Sequence, residues 1–180
     1  MKLKTSIILC SLAATTTAPA FADTVWDLYG GIFIGAGAQT FYMDKTTKTD
    51  AAQSFGGVFG IDIPVFRAEV EYNYLTEHST NAHIGFVNAY VKMPSTVVKP
   101  YLGGGVGMLF EGRDSVHHID YEMTAAYQGM LGLTFSTPAL PLVFDVEGRA
   151  IYMPNVYKAE SSHQPDVLHY EARVKVRYLF

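Results

Sequence analysis

The sequence predicts an all-β fold, an eight-stranded antiparallel up-and-down transmembrane β-barrel. Three observations lead there. Apolar and polar residues alternate with a period of two along several segments, which marks strands with two unlike faces. Gly 16, Tyr 12 and Phe 11 in 180 residues favour strands over helices. No segment after the N-terminus forms an apolar run of the ~20 residues that a membrane helix needs. A passage through lipid would then require a closed barrel, which leaves no backbone group unpaired.

Residues 1–22 read as a cleaved export signal. Lys2 and Lys4 form the charged start, Ile7 to Ala14 a short apolar core, and Ala20-Phe21-Ala22 a small-x-small cleavage site, with cutting after Ala20 as the alternative. Residues 23–180 are then the barrel domain. Loss of Lys2 and Lys4 takes the formal net charge from -4 to -6, and no basic cluster of the kind nucleic acid requires is present. The single cysteine, Cys10, lies in the signal, so the mature chain has no disulfide and no thiolate metal ligand.

Eight strands are predicted, at 25–42, 51–63, 65–75, 82–93, 98–111, 120–136, 142–153 and 167–180. Three connections are short and carry proline, which fixes φ and ends a ladder: the turns around Pro64, Pro94, and Pro138 to Pro141. The other four, 43–50, 76–81, 112–119 and 154–166, are longer and more polar. Short turns at one end and longer loops at the other are the asymmetry of an outer-membrane barrel.

The third strand sets Phe66, Ala68, Val70, Tyr72 and Tyr74 against Arg67, Glu69, Glu71 and Asn73. The seventh sets Phe144, Val146 and Tyr152 against Asp145, Glu147 and Arg149, and the eighth sets Tyr170, Val174, Val176 and Tyr178 against His169, Glu171, Arg173, Lys175 and Arg177. Glycine rows in the first strand (Gly31, Gly35, Gly37) and the fifth (Gly103, Gly105, Gly107) decide which face is inside. Such rows weaken a solvent-washed face, whereas a crowded lumen needs the space, here for the long Arg and Glu side chains. The charged face is therefore expected inside and the apolar face in lipid. Arg67, Glu69, Glu71, Asp145, Glu147, Arg149, Glu171 and Arg173 are expected to form ion pairs that plug a lumen just wide enough for side chains. Trp26, Tyr178 and Phe180 at the proline-turn end, with Tyr42, Tyr74, Tyr121, Tyr152 and Tyr170 toward the other, suggest two interfacial aromatic girdles.

The run Tyr29-Gly30-Gly31-Ile32-Phe33-Ile34-Gly35-Ala36-Gly37, the run Lys99-Pro100-Tyr101-Leu102-Gly103-Gly104-Gly105-Val106-Gly107, the segment Ala126 to Leu133 and the ending Tyr178-Leu179-Phe180 resemble one family. It is that of the small outer-membrane barrels related to the OmpA transmembrane domain and to opacity-type surface antigens. The resemblance covers essentially all of the mature chain. It implies an outer-membrane location, contact with membrane lipid and lipopolysaccharide, and an aromatic end, Tyr178 and Phe180, that barrel-assembly machinery recognises. Relatives serve as structural anchors, adhesins and antigens, and occasionally as enzymes.

Each catalytic reading of these residues has a plainer rival. Glu69 with Glu71, or Asp145 with Glu147, share a face and could act as acid and base, but ion pairing with the nearby arginines explains them without chemistry. His78, His83, His117, His118, His163 and His169 gather toward the long-loop end without metal-ligand spacing. Ser79, Ser161 and Ser162 adjoin histidines at loop tips, which is the wrong height for deacylating a lipid. Gly103-Gly104-Gly105-Val106-Gly107 is followed by neither a helix nor Lys-Ser/Thr, so it is no phosphate loop. The expectation is a non-enzymatic barrel without cofactor or metal, in an envelope-structural or surface-interaction role with an unnamed extracellular partner. The alternatives are a lipid A-modifying enzyme in the same membrane, and a soluble periplasmic barrel with inverted faces carrying an apolar ligand.

Overall fold

The computed structural model describes residues 26–43, 46–77, 80–94, 98–114, 119–121, 123–136, 140–154 and 166–180, with side chains at all of these except 41–43, 46–48, 77, 80, 111–114 and 119–121. The expected signal, residues 1–22, lies outside them, as do His78, Ser79, His117, His118, Ser161, Ser162 and His163; so do the side chains of Tyr42 and Tyr121.

The strands are β1 (Asp27–Met43), β2 (Thr46–Asp62), β3 (Phe66–Glu77), β4 (Thr80–Lys92), β5 (Val98–Asp114), β6 (Ile119–Tyr121), β7 (Thr124–Ser136), β8 (Leu142–Met153) and β9 (Asp166–Leu179). Each pairs antiparallel with its neighbours, and β9 pairs with β1 to close the ring. β6 and β7 are one interrupted strand. Tyr121 faces Gly112 and Thr124 faces Leu109, so both pieces hold the same register on β5. The barrel therefore has eight staves, all antiparallel.

Its geometry follows from the register. Stepping from partner to partner, Tyr29 leads to Gly60, Glu69, Asn88, Gly105, Gln128, Ile151 and His169, and returns to β1 at Gln39, ten residues above the start. A stagger of ten residues at about 3.3 Å, against eight spacings of about 4.7 Å, sets a strand tilt of about 41°. Ten residues so tilted rise about 25 Å, the height of a barrel's lipid-facing band. One bulge, between His83 and Ile84, shifts the β4–β5 ladder.

Two expectations are corrected. The segments 43–50 and 76–81 are mostly ladder, not loop. Met43 pairs with Thr46 and Glu77 with Thr80, so the hairpins close over two residues each. Their side chains show no apolar alternation, which hid the strands, but backbone pairing does not require it. The glycines also clear space mainly for rings. A Cβ on Gly56 would strike Phe33, one on Gly60 Tyr29, one on Gly103 Tyr90, one on Gly107 Phe86 and one on Gly132 Tyr101. Only Gly31, Gly35 and Gly37 adjoin Arg177, Arg173 and Glu171.

The charged face is inside and the apolar face outside. Ile32 and Ile34 are each 70% exposed and Leu102 67%, while Asp145, Lys175 and Arg177 are 0% exposed. Trp26, Phe66, Phe144, Tyr178 and Phe180 are exposed toward the end carrying the termini, and Tyr72, Tyr127, Tyr152 and Tyr170 toward the other.

Candidate functional site: the lumen

Inward side chains stack in tiers. Nearest the termini, Asp62 holds Lys92 and accepts from Arg177 Nη1 at 2.8 Å. Asp145 accepts from Arg177 Nε at 2.7 Å, Arg67 Nη1 at 3.2 Å and Thr134 Oγ1 at 2.6 Å. The Arg67 guanidinium lies between two rings, 3.8 Å from the Tyr90 centroid and 4.5 Å from that of Tyr101. Stacking lets aromatic faces compensate a cation where hydrogen-bond partners run out. Arg67 Nε and Nη2 have no partner.

In the next tier Glu69 accepts from Lys175 Nζ at 2.8 Å, Tyr29 Oη at 2.7 Å and Tyr90 Oη at 2.9 Å. Glu147 accepts from Arg173 Nε at 2.6 Å and Tyr101 Oη at 2.9 Å. Above them Glu71 takes a two-pronged bond from Arg173, 2.9 Å from each nitrogen, and one from Arg149 Nη1 at 2.6 Å. Asn88 and Gln128 tie in, Asn88 Nδ2 donating to Glu71 and Gln128 Nε2 to Asn88 Oδ1. Glu171 lies 2.6 Å from Arg149 Nε, out of hydrogen-bond alignment, and 3.0 Å from His169 Nε2. Paired geometry of this kind is what permits charge away from water.

All eight residues singled out from sequence sit in this network, together with Lys92, Lys175 and Arg177 from the same faces. Sequence reasoning placed Asp62 in a turn and gave no part to Tyr29, Asn88, Tyr90, Tyr101, Gln128 or Thr134. Parity was the available signal: Asp62 is in step with Gly60 and Val58, and Asn88 and Tyr90 are in step with Lys92.

Above the charges, on the same inward face, the chemistry changes. Ala52, Leu75, Ala82, Ile84, Phe86, Leu109, Ala126, Ile151, Met153 and Val167 form one buried apolar cluster. On the β1–β2–β3–β9 side of that level, Gln39, Ser54, Asn73 and His169 are buried with side-chain atoms unpaired. Ser54, His169 and Glu171 share this wall and all three are buried, with His169 Nε2 3.0 Å from Glu171. Among the described residues no three of His, Cys, Asp or Glu are grouped to hold a metal. Outside, His83 accepts or donates one hydrogen bond with Tyr72 Oη at 2.6 Å and packs against the Tyr74 ring. At the terminal end the Tyr178 and Phe180 rings meet at 5.5 Å, and Phe180 N donates to Leu28 O.

No family profile matches the chain, and no curated protein matches it by sequence. Solved structures do. The crystal structure of neisserial surface protein A superposes with a TM-score of 0.60 at 16% identity, covering 84% of this chain and 97% of that one. The N-terminal β-barrel domain of Pseudomonas aeruginosa OprF superposes with a TM-score of 0.52 at 14% identity, covering 83% and 97%. With its closed ring of eight antiparallel staves, the chain has the fold of the small eight-stranded outer-membrane β-barrels.

Proposed function

We propose that the protein is a non-enzymatic outer-membrane barrel with an envelope-structural or surface-interaction role, its lumen plugged by the ion-pair network. One observation carries the reading: a closed barrel presents a continuous apolar belt outward while its charges pair with one another inside. In water such a belt would be a large aggregation surface, whereas in lipid it is solvated. Residues 1–22 serve as the export signal, the belt meets membrane lipid and lipopolysaccharide, and Tyr178 and Phe180 present the aromatic end to barrel-assembly machinery. The lumen carboxylates, each held by a cation, act as structure and not as acid or base.

The test is gel mobility of isolated outer membranes, unboiled and boiled in mild SDS. Recovery in that fraction with a mobility shift on boiling is expected. Absence from it with unchanged mobility would return the reading to a soluble ligand carrier. Mass spectrometry of lipid A from cells with and without the protein addresses the enzymatic alternative, and an unchanged acyl pattern is expected.

A further inference from the structure

We infer that the barrier to ions through this barrel is the dry apolar layer in the half of the lumen away from the termini, and not the charged network beneath it. The inference rests on the membrane-barrel reading above.

The layer fills most of the lumen's cross-section, leaving a polar wall of Gln39, Ser54, Asn73 and His169 on the β1–β2–β3–β9 side. Its members come from seven of the eight staves: Ala52 from β2, Leu75 from β3, Ile84 from β4, Leu109 from β5, Ala126 from β7, Ile151 from β8 and Val167 from β9, among others. At the tilt given above each ladder step climbs about 3 Å and each residue about 2.5 Å, which puts Ala52, Leu75, Ile84, Leu109, Ala126, Ile151 and Met153 within about 5 Å of one height. The layer is dry: Ile84, Ala126, Ile151 and Val167 are 0% exposed.

The two halves of the lumen meet an ion differently. In the charged half every step offers a carboxylate, a guanidinium or an amide, so an entering ion can exchange partners with an existing pair. Arg173 already shares itself between Glu71 and Glu147, and Arg177 between Asp62 and Asp145. Among the described residues that level offers an ion only the polar wall of Gln39, Ser54, Asn73 and His169. An ion must shed most of its water there for a few neutral groups on one wall, which is how hydrophobic constrictions stop conduction.

The test is conductance of the purified full barrel in planar lipid bilayers, with boiling-dependent gel mobility checking the fold of each variant. Wild type is expected to be silent. Ile84→Asn with Ile151→Asn, which wets the layer, is expected to open ion conductance at least tenfold above the bare membrane. Glu69→Gln with Lys175→Met, which removes one pair without net charge change, is expected to stay silent. If the wetted variant does not fold, Leu75→Ala with Met153→Ala thins the layer without burying an amide and is expected to leak as well. Steady conductance by wild type would overturn the inference. So would a folded but silent layer variant, or a Glu69→Gln/Lys175→Met barrel that conducts. None of these outcomes bears on whether the protein resides in the outer membrane, which the fractionation decides separately.

Discussion

Glu71 is the hub of the lumen, and replacing it should cost more than replacing Glu147. Glu71 accepts three hydrogen bonds from two arginines, Arg149 and Arg173, and a fourth from Asn88. Glu147 accepts one from Arg173 and one from Tyr101. Glu71→Leu leaves Arg149 with the misaligned Glu171 contact and Gln128, and Arg173 with Glu147 and the Phe33 ring. Breaking a buried pair by removing one partner costs about 3–5 kcal/mol. Glu147→Leu removes the same charge, but Arg173 keeps its two-pronged bond to Glu71, so no arginine is stranded. The loss is then two hydrogen bonds to a charged group, at about 1.5–3 kcal/mol each, against the four that Glu71→Leu gives up. Equal charge removal with unequal local geometry makes the pair a test of the network and not of net charge.

The assay is urea unfolding of the refolded barrel in lipid vesicles, followed by emission of Trp26, the sole tryptophan, and by boiling-dependent mobility. Glu71→Leu should show the lower midpoint. Glu71→Leu combined with Arg149→Met restores neutrality and leaves Arg173 on Glu147 and Glu171 on His169, so it should regain about half of the loss. A midpoint for Glu147→Leu at or below that of Glu71→Leu, or no recovery in the double variant, would refute the assignment of Glu71 as hub.

Three further outcomes are expected. Gly132→Ala places a Cβ 2.5 Å from the Tyr101 ring and should cost about 1–3 kcal/mol, whereas Gly129→Ala, three residues away with open space in front of it, should stay within about 0.5 kcal/mol by the same unfolding assay. Tyr90→Phe removes the hydrogen bond to Glu69 but keeps the ring on Arg67, costing about 1.5–3 kcal/mol, and Tyr90→Leu should add about 1–2 kcal/mol for the lost cation–π contact. Phe180→Ala should slow membrane assembly in cells, read by pulse-labelling and mobility shift, while the refolded barrel keeps its unfolding midpoint to within about 1 kcal/mol.

The strands that alternate strongly were legible: the predicted 142–153 coincides with β8 (Leu142–Met153), and the sidedness of Arg67, Glu69 and Glu71 on β3 follows from parity alone. Partners across the lumen were not. Glu69 meets Lys175 over 106 residues and Arg173 meets Glu71 over 102, and such contacts depend on the ring's ten-residue stagger, which no single strand encodes. The apolar layer was hidden for a related reason. On β3 the inward row runs Glu71, Asn73, Leu75, and on β8 it runs Arg149, Ile151, Met153. Each looks like an ordinary frayed strand end, and only the register shows that they change chemistry at one level.

That register is itself written in charge. Across β8 and β9, Asp145 faces Lys175, Glu147 faces Arg173 and Arg149 faces Glu171, three opposite-sign pairs in succession on the inward face. A slip of one residue would turn this row into lipid, so the nearest competitor keeps parity and slips by two. Slipped one way, Glu147 meets Lys175 but Arg149 meets Arg173 and Ile151 meets Glu171. Slipped the other way, Glu147 meets Glu171 while Arg149 meets His169. Either slip sets like charges directly opposite inside the barrel, and one also drives a carboxylate toward the apolar layer. The change of sign at Arg149 on β8, matched by Glu171 on β9, is what removes the degeneracy that a uniform acidic strand against a uniform basic strand would have kept. The order of charges along each strand thus selects the alignment, and the alignment in turn puts Ile151, Met153 and Val167 at the height where the lumen is dry.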